Sequence, residues 1–206
     1  MKHFERIAVD IVLLPVRKIM DEAIRANREL LIQNPGNIVL GKENCLPNVS
    51  LAMGCIDKNT IPDIEKIIVK LAEKYPLKSL NFINTHIEIN SRGEKVTIAL
   101  IEKTNILQSL HEEVMMSLRQ FFSYDVTPDM LVPDEEIGIS TLLWIKSYPE
   151  KSSFERFSPH ITLGYGKLEN YSFPRIIGVS QLAVCHLGNH CTCRKVLKFV
   201  TIGEEQ

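Results

Sequence analysis

An eight-residue pattern occurs twice in this chain and constrains its fold more than any other feature. Residues 47–54 read Pro-Asn-Val-Ser-Leu-Ala-Met-Gly, and residues 159–166 read Pro-His-Ile-Thr-Leu-Gly-Tyr-Gly. The two copies stand 112 positions apart and share a proline, a β-branched residue, a hydroxyl residue, a leucine and a final glycine. Proline and glycine commonly bound unrelated strands. The matching hydroxyl and leucine positions nevertheless favour two equivalent strands.

The alternation of side chains along a strand makes this repeat a candidate site. Side chains at i and i+2 project from the same face, so Asn48 shares a face with Ser50, and His160 with Thr162. Hydroxyl groups donate to phosphate oxygens, and an imidazole exchanges protons near neutral pH. Two such strands side by side would line a phosphate-sized polar cleft. The intervening side chains are apolar and are predicted to point into the core: Val49, Leu51, Ile161 and Leu163.

These paired motifs resemble those of the two-histidine phosphoesterase superfamily, which includes 2′-5′ RNA ligase-like proteins and cyclic nucleotide phosphodiesterases. Residues 159–163 match its second motif, and residues 47–51 match its first motif at every position except the histidine. The resemblance covers most of the chain. It implies an α+β, bilobal fold, in which two pseudo-twofold-related lobes of antiparallel sheet with flanking helices surround a central cleft. Residues 1–206 would form this single bilobal domain, and each lobe would contribute one motif strand.

The resemblance also implies a chemistry. In the family, two histidines share general acid and general base work on a phosphodiester or a 2′,3′-cyclic phosphate, and two hydroxyls hold phosphate oxygens without a metal. Here His160 inherits a catalytic role, Ser50 and Thr162 inherit the phosphate-binding roles, and Asn48 occupies the position of the missing histidine. The implied function is a phosphodiesterase acting on RNA ends, cyclic phosphates or 2′-5′ linkages. Its partner would be a nucleotide or RNA-end phosphodiester, with no cofactor.

Asn48 weakens the expected activity, because a carboxamide does not titrate at physiological pH. Losing one general acid or base typically costs ~10²- to 10⁴-fold in rate. Three explanations stay open: a natural loss of activity, a variant whose proton comes from water or another residue, and an engineered substitution that traps a ligand. The alternative function is a catalytically degenerate protein that binds nucleotides or RNA ends.

Three residues near the motifs are possible substrate contacts: Tyr165, Arg156 and Lys42. Isolated surface cations are the simpler interpretation of the two basic residues. Tyr165 falls opposite Thr162 in strict alternation, unless a neighbouring glycine bends the strand. His86 could replace the missing histidine, although a solvent-facing position on a strand is the simpler prediction.

The segment 185–193 reads Cys-His-Leu-Gly-Asn-His-Cys-Thr-Cys and is the one metal-like cluster of the sequence. If residues 188–189 form a two-residue turn, His186, Cys191 and Cys193 share a face and offer zinc three ligands. A fourth ligand is absent nearby, so a hairpin without metal is predicted and a zinc-stabilised scaffold is the third alternative. The odd count of five cysteines, and a start without a signal pattern, favour free thiols in the cytosol.

The amino-acid composition excludes several classes of function. The 206 residues are 45% hydrophobic and 24% charged, which predicts an ordinary globular chain of one domain or two small lobes. A formal net charge of -1 argues against a protein that coats nucleic acid non-specifically. No apolar run approaches the ~18 residues that span a bilayer. We therefore expect a soluble, cytoplasmic monomer that does not bind membranes.

Periodicity predicts strands and helices joined by both hairpins and helical crossovers, which favours an α+β fold. Asn105 is the expected cap of the third helix, His111 is placed on that helix's polar side, and Trp144 is placed in the core. The predicted strands cover residues 6–14, 37–40, 48–55, 80–90, 95–101, 138–147, 159–165, 177–187 and 191–202. The predicted helices cover residues 16–33, 62–75 and 106–122.

Overall fold

A computed structural model of the chain describes residues 5–35, 38–90, 92–133, 136–168 and 171–202. Within these residues the chain forms seven strands and four α-helices. The strands are β1 (Arg6–Pro15), β2 (Val49–Asp57), β3 (Ser79–Ile89), β4 (Lys95–Ile101), β5 (His160–Tyr165), β6 (Ile176–Leu187) and β7 (Cys193–Thr201). The helices are α1 (Arg17–Gln33), α2 (Ile61–Lys74), α3 (Asn105–Leu118) and α4 (Ile139–Lys151).

The seven strands form one antiparallel sheet in the order β2-β1-β6-β3-β4-β5, with β7 also paired to β6. Different stretches of β6 serve different neighbours: residues 176–178 pair with β3, and residues 181–187 pair with β7. The predicted α+β class is confirmed. The division into two pseudo-symmetric lobes stays a prediction.

The curvature of the sheet brings the two copies of the repeat together. Strands β2 and β5 stand at opposite ends of the hydrogen-bonding order, yet they contact each other. The sheet therefore bends so far that its terminal strands meet. Since β2 carries the first motif and β5 the second, this bend is what positions the candidate site.

Apolar residues cover both faces of β1, which is buried along all but its first residue. Ile11 and Leu13 belong to the main core, whereas Val12 and Leu14 pack in a smaller cluster on the opposite face, together with Cys185. None of the helices within the described residues is both long and apolar enough to cross a membrane.

The prediction of a strand at 138–147 is wrong, because these residues form the first part of α4. The buried residues of α4 are Thr141, Ile145 and Tyr148, spaced four and three apart as on one face of a helix. A short apolar run does not distinguish a strand from a helix by periodicity alone. The prediction that Trp144 lies in the core is also wrong, since its side chain is 46% exposed.

Two further local predictions need correction. Residues 38–40 do not form a strand, and the predicted Asn37 lies outside the described residues. Their backbone is held instead by a side chain of α1, because Asn27 donates to Ile38 O and accepts from the Leu40 amide. Helix α3 is capped not by Asn105 but by Thr104, whose hydroxyl accepts from the Leu107 amide.

The cysteine-rich hairpin also differs from the prediction. Cys185 and Cys193 form a disulfide with their Cα atoms 5.4 Å apart, so the expectation that all five cysteines are free thiols is wrong. Residues 189–191 form a 3-10 turn instead of the tip of a two-residue turn, and Leu187 consequently pairs with Cys193. Cys191 remains a thiol. Within the described ranges, no group of three or more potential ligand side chains is arranged to hold a metal ion.

Candidate active site

One small cavity between β2 and β5 collects the polar side chains of both motifs. Its volume is about 60 Å³, and Asn48, Ser50, His160 and Thr162 all line it. A fifth polar residue, His190 of the β6–β7 connection, lines the same cavity. The structure therefore brings together the four residues singled out by the repeat and adds a second imidazole.

The side chains of both motifs alternate between this cavity and the core. The four polar motif residues are half-buried, as expected for the walls of a cavity. Their apolar neighbours are buried: Val49, Leu51, Ile161 and Leu163. The predicted alternation is thus confirmed in both copies.

The repeat extends to the strands that flank the motifs. The β1–β2 register passes from Ile11↔Ala52 to Val12↔Ser50, which leaves Leu51 as a bulge. The β4–β5 register likewise skips Leu163, between its pairs with residues 97 and 98. A bulge bends a strand and re-aims the side chains beyond it. Equivalent bulges therefore lie beside the cavity in both halves.

Buried helix side chains hold the carbonyl groups of the two bulged leucines. His111 Nδ1 lies 2.6 Å from Leu51 O, and Asn27 Nδ2 donates to Leu163 O over 2.7 Å. The Tyr148 hydroxyl adds a second bond of 3.2 Å to Leu51 O. The two motif strands are thus fastened at the same position by different helices: the first by α3 and α4, the second by α1.

His111 fastens the first motif as a neutral imidazole. Its Nδ1 must donate, because a carbonyl can only accept, and its Nε2 accepts from the Phe154 amide at 2.7 Å. Burial lowers the pKa of His111, and its ring stacks on Phe157 with the centroids 4.0 Å apart. The predicted position on the polar side of the helix is wrong, since the side chain is fully buried.

Ser50 is tied to a buried carboxyl group. Its Oγ lies 2.5 Å from Asp10 Oδ2, and Asn48 Nδ2 donates weakly to the same Oγ over 3.4 Å. Burial raises the pKa of Asp10 well above its usual value, and the Ser50 hydrogen bond partly opposes this shift. Asp10 was missed by the sequence analysis because it lies in the middle of an otherwise apolar strand. That isolation was the available signal.

His160 is oriented by its own backbone. Its Nδ1 lies 2.8 Å from Ser158 O, and such a contact requires a proton on Nδ1. The tautomer so defined leaves Nε2 as the nitrogen that can accept a proton. The adjacent Thr162 brings a hydroxyl group to the same wall of the cavity.

His190 is held in place by α4 and by β5. Its amide donates to Thr141 Oγ1 over 2.9 Å, and its Nδ1 lies 3.0 Å from the Tyr165 hydroxyl. The backbone φ of His190 is 57°, a conformation that side-chain-bearing residues seldom adopt outside functional or tightly held positions. Sequence reasoning missed this residue because an assumed two-residue turn directed it away from the motifs.

The bulge in β5 explains the position of Tyr165. Gly164 has φ 142°, and a Cβ atom there would lie 2.8 Å from Asn27 Nδ2, so this bend needs glycine. Beyond the bend the Tyr165 hydroxyl contacts the ring of His190 instead of following strict alternation away from it. Tyr165 does not itself line the cavity; it supports a residue that does.

The other predicted contacts lie elsewhere. Lys42 pairs with Asp21 at 2.5 Å and lines a neighbouring cavity of about 560 Å³. Arg156 is exposed, and its guanidinium donates to Glu150 O. His86 is exposed on β3 and is not among the residues that line the site.

No protein-family model matches the chain, and no curated protein matches it. Solved structures of E. coli LigT do match along almost its whole length. LigT complexed with phosphate superposes with a TM-score of 0.55 at 14% identity, covering 97% of this chain and 99% of LigT. The apo form gives 0.54 at 12% identity, covering 96% and 98% respectively. The complex with NADP+ gives 0.51 at 14% identity, again covering 96% and 98%.

This chain has the LigT fold. The resemblance to the two-histidine phosphoesterases, first carried by two short motifs, is thereby confirmed at the level of the fold. At 14% identity the LigT fold itself does not specify the chemistry. The chemistry depends on the side chains that line the cavity.

Proposed function

We propose that this protein is a metal-independent phosphodiesterase of the two-histidine type, acting on RNA ends, 2′,3′-cyclic phosphates or 2′-5′ linkages. The observation that supports this proposal is the shared cavity of Asn48, Ser50, His160 and Thr162. The LigT structures in complex with phosphate and with NADP+ support an anion-binding role for a site in this fold.

Opening a cyclic phosphate with water requires two proton transfers. A base takes a proton from the attacking water, and an acid gives a proton to the ribose oxygen that leaves phosphorus. One P–O bond forms, one breaks, and the number of protons is unchanged. His160 performs one transfer through Nε2, while the Thr162 hydroxyl donates to a non-bridging phosphate oxygen.

The second transfer is assigned to His190, which lines the same cavity. The contact of its Nδ1 with the Tyr165 hydroxyl, at 3.0 Å, orients the imidazole ring. Asn48 cannot exchange protons, but its amide group donates hydrogen bonds to the phosphate. An imidazole from a different part of the chain would thus replace the histidine missing from the first motif.

The test is turnover of a panel of 2′,3′-cyclic nucleotides and 2′-5′ oligonucleotides. We expect slow cleavage by the native chain and a further loss in kcat of about 10²-fold or more in His190→Gln. His86→Gln is the matched control, because this exposed histidine lies outside the cavity. If His190→Gln cleaves as fast as the control, water supplies the second proton and the assignment of His190 is wrong.

The second candidate function is binding without turnover, which is favoured by the carboxamide at position 48. Asn48→His restores the family's first motif and separates the two candidates. An enzyme is expected to gain activity or to retain it in this variant. If neither the native chain nor the folded variant cleaves any substrate while both bind a 2′,3′-cyclic nucleotide, the protein is a binder and not an enzyme.

A further inference from the structure

The carboxyl group of Asp10 lies beneath Ser50 in an unusual environment. Its side chain is fully buried, and its Oδ1 has no hydrogen-bond partner in the part of the chain that the structure describes. Its Oδ2 lies 2.5 Å from the Ser50 hydroxyl oxygen. A buried carboxylate is costly unless it is paired and hydrogen-bonded. This arrangement therefore favours a protonated carboxyl group.

The two halves of the repeat differ at the position of Asp10. Asp10 pairs across the sheet with Met53, and Val96 pairs with Tyr165 at the equivalent place of the second motif. One half of the repeat thus has an apolar residue where the other has an acid. The acid therefore distinguishes the first half of the repeat from the second.

The short contact between Asp10 and Ser50 admits two arrangements of hydrogen. If the carboxyl group is ionised, the Ser50 hydroxyl donates to it, and Ser50 turns only lone pairs toward the cavity. If the carboxyl group is protonated, it donates to Ser50 Oγ, and the serine proton is free to point outward. A phosphate oxygen accepts hydrogen bonds and does not donate them, so only the second arrangement lets Ser50 bind it.

We propose that Asp10 is the positioning residue of the phosphate site: its carboxyl proton directs the Ser50 hydroxyl toward the bound anion. The inference rests on the proposed function, which assigns Ser50 to the phosphate. Since the anion binds the protonated form, binding above the pKa of Asp10 takes up a proton. The affinity for an anion of constant charge then decreases as the pH rises.

The surroundings of Asp10 are consistent with this role. Burial raises the pKa of Asp10, while the Ser50 hydrogen bond and the Ala52 amide lower it by less. The titratable groups near Asp10 are the Tyr148 phenol, the Cys191 thiol and, across Ser50, His160 and His190. Its cross-strand partner Cys185 is in a disulfide and does not titrate. Burial raises the pKa of both Tyr148 and Cys191, so these two groups stay neutral.

The experiment measures the affinity of the full chain for inorganic sulfate by calorimetry from about pH 5 to about pH 9, a range in which sulfate keeps its charge. Asp10→Asn is the main variant, because its amide group donates permanently to Ser50 Oγ. Both proteins carry His160→Gln, which removes one imidazole from the profile. At alkaline pH we expect Asp10→Asn to bind sulfate about 10- to 100-fold more tightly than the chain with Asp10.

Removing a negative charge near an anion also raises affinity, so a second pair of proteins separates charge from positioning. The same Asp10→Asn change is made in a Ser50→Ala background. If Asp10 positions the Ser50 hydroxyl, the gain in sulfate affinity should largely disappear in the Ser50→Ala background. If Asp10 acts only through its charge, the gain should persist. If Asp10→Asn does not fold, proton uptake on sulfate binding tests the same point. This proton uptake is measured by calorimetry in buffers of different ionisation enthalpy, for the chain with Ser50 and for the Ser50→Ala variant.

The outcomes distinguish this inference from the proposed function. A decline in affinity with pH that is abolished by Asp10→Asn and depends on Ser50 supports the role of Asp10. Equal pH profiles for the two proteins, or a gain that survives in Ser50→Ala, overturn that role and leave the phosphate site intact. If the folded native chain binds no sulfate at any pH, both the inference and the proposed phosphate site are wrong.

Discussion

The two motif strands occupy equivalent places in the sheet but differ in what stands behind them. Each has a bulged leucine, each is fastened by a helix, and each points a hydroxyl group into one cavity. Behind Ser50 lies the carboxyl group of Asp10, whereas Val96 occupies the equivalent position of the second half. The repeat therefore determines where a polar group lies. The flanking strand determines what that group can donate or accept.

The largest difference in kcat is expected between substitutions at position 48 and at position 160. Under the proposed function, His160→Gln removes a proton-transfer group and should lower kcat toward a 2′,3′-cyclic nucleotide by about 10²- to 10⁴-fold. Asn48→Ala removes only a hydrogen-bond donor and should cost about tenfold or less. The measurement is kcat for both variants. Equal losses would show that the two motifs contribute in the same way and would contradict the asymmetry.

The side chain that fastens the second motif, Asn27, makes more hydrogen bonds to the backbone than His111 or Tyr148 makes at the first motif. Asn27 serves three backbone groups, Ile38 O, Leu163 O and the Leu40 amide, all in the interior. Asn27→Leu leaves them unsatisfied and should lower the free energy of unfolding by about 3 kcal/mol. Urea denaturation measures this loss. Asn81→Leu is the control, because its amide group bonds only to exposed Glu102, and it should change stability by less than about 0.5 kcal/mol.

The anchor of the first motif is titratable. At about pH 7.5, His111→Phe keeps a ring on Phe157 but loses both hydrogen bonds, at a cost of about 1–3 kcal/mol. Because the folded-state pKa of His111 lies below the ordinary histidine value of 6.5, its contribution is complete above 6.5 and decreases as the pH falls toward the folded pKa. The stability gap between the native chain and His111→Phe should therefore narrow on acidification.

Urea midpoints for the native chain and His111→Phe at a series of pH values test this dependence. His86→Phe, a change at an exposed histidine, controls for general effects of acid. A gap that widens on acidification would mean that His111 is charged in the folded state. Such a result would contradict the neutral imidazole that bridges Leu51 O and the Phe154 amide.

The smallest effects are expected outside the cavity. Lys42→Ala and Arg156→Ala should each change KM for a cyclic nucleotide by less than about twofold, because exposed charges contribute little to a site they do not line. Thr162→Val inside the cavity serves as the comparison and should raise KM by more. A tenfold increase in KM for Lys42→Ala would mean that the substrate extends into the neighbouring cavity.

Local sequence patterns identified much of the fold. The sequence predicted strand β1, helix α1 and the hairpin of β3 and β4. In these segments the spacing of the apolar residues and the positions of the turn residues indicate the same element. The start of α4 was predicted as a strand because its short apolar run fits the period of a strand as well as that of a helix. Whether this run forms a helix depends on the packing of buried residues such as Ile145. At α4 the local pattern and the tertiary packing therefore gave different answers.

The candidate site shows the same division. Asn48, Ser50, His160 and Thr162 were identified because alternation along a strand is a local property with a fixed period of two. His190 and Asp10 were missed because their contacts depend on a turn conformation and on a cross-strand register that no local pattern encodes.

The order of the amino acids was sufficient to define two strands with polar and apolar faces, since each face follows from neighbours two residues away. Folding in three dimensions decided that the end strands of one curved sheet meet, that an imidazole from a distant turn joins them, and that a buried acid lies beneath one hydroxyl group. Those contacts join residues far apart in the chain. They arise from the packing of the whole core, which no short segment specifies.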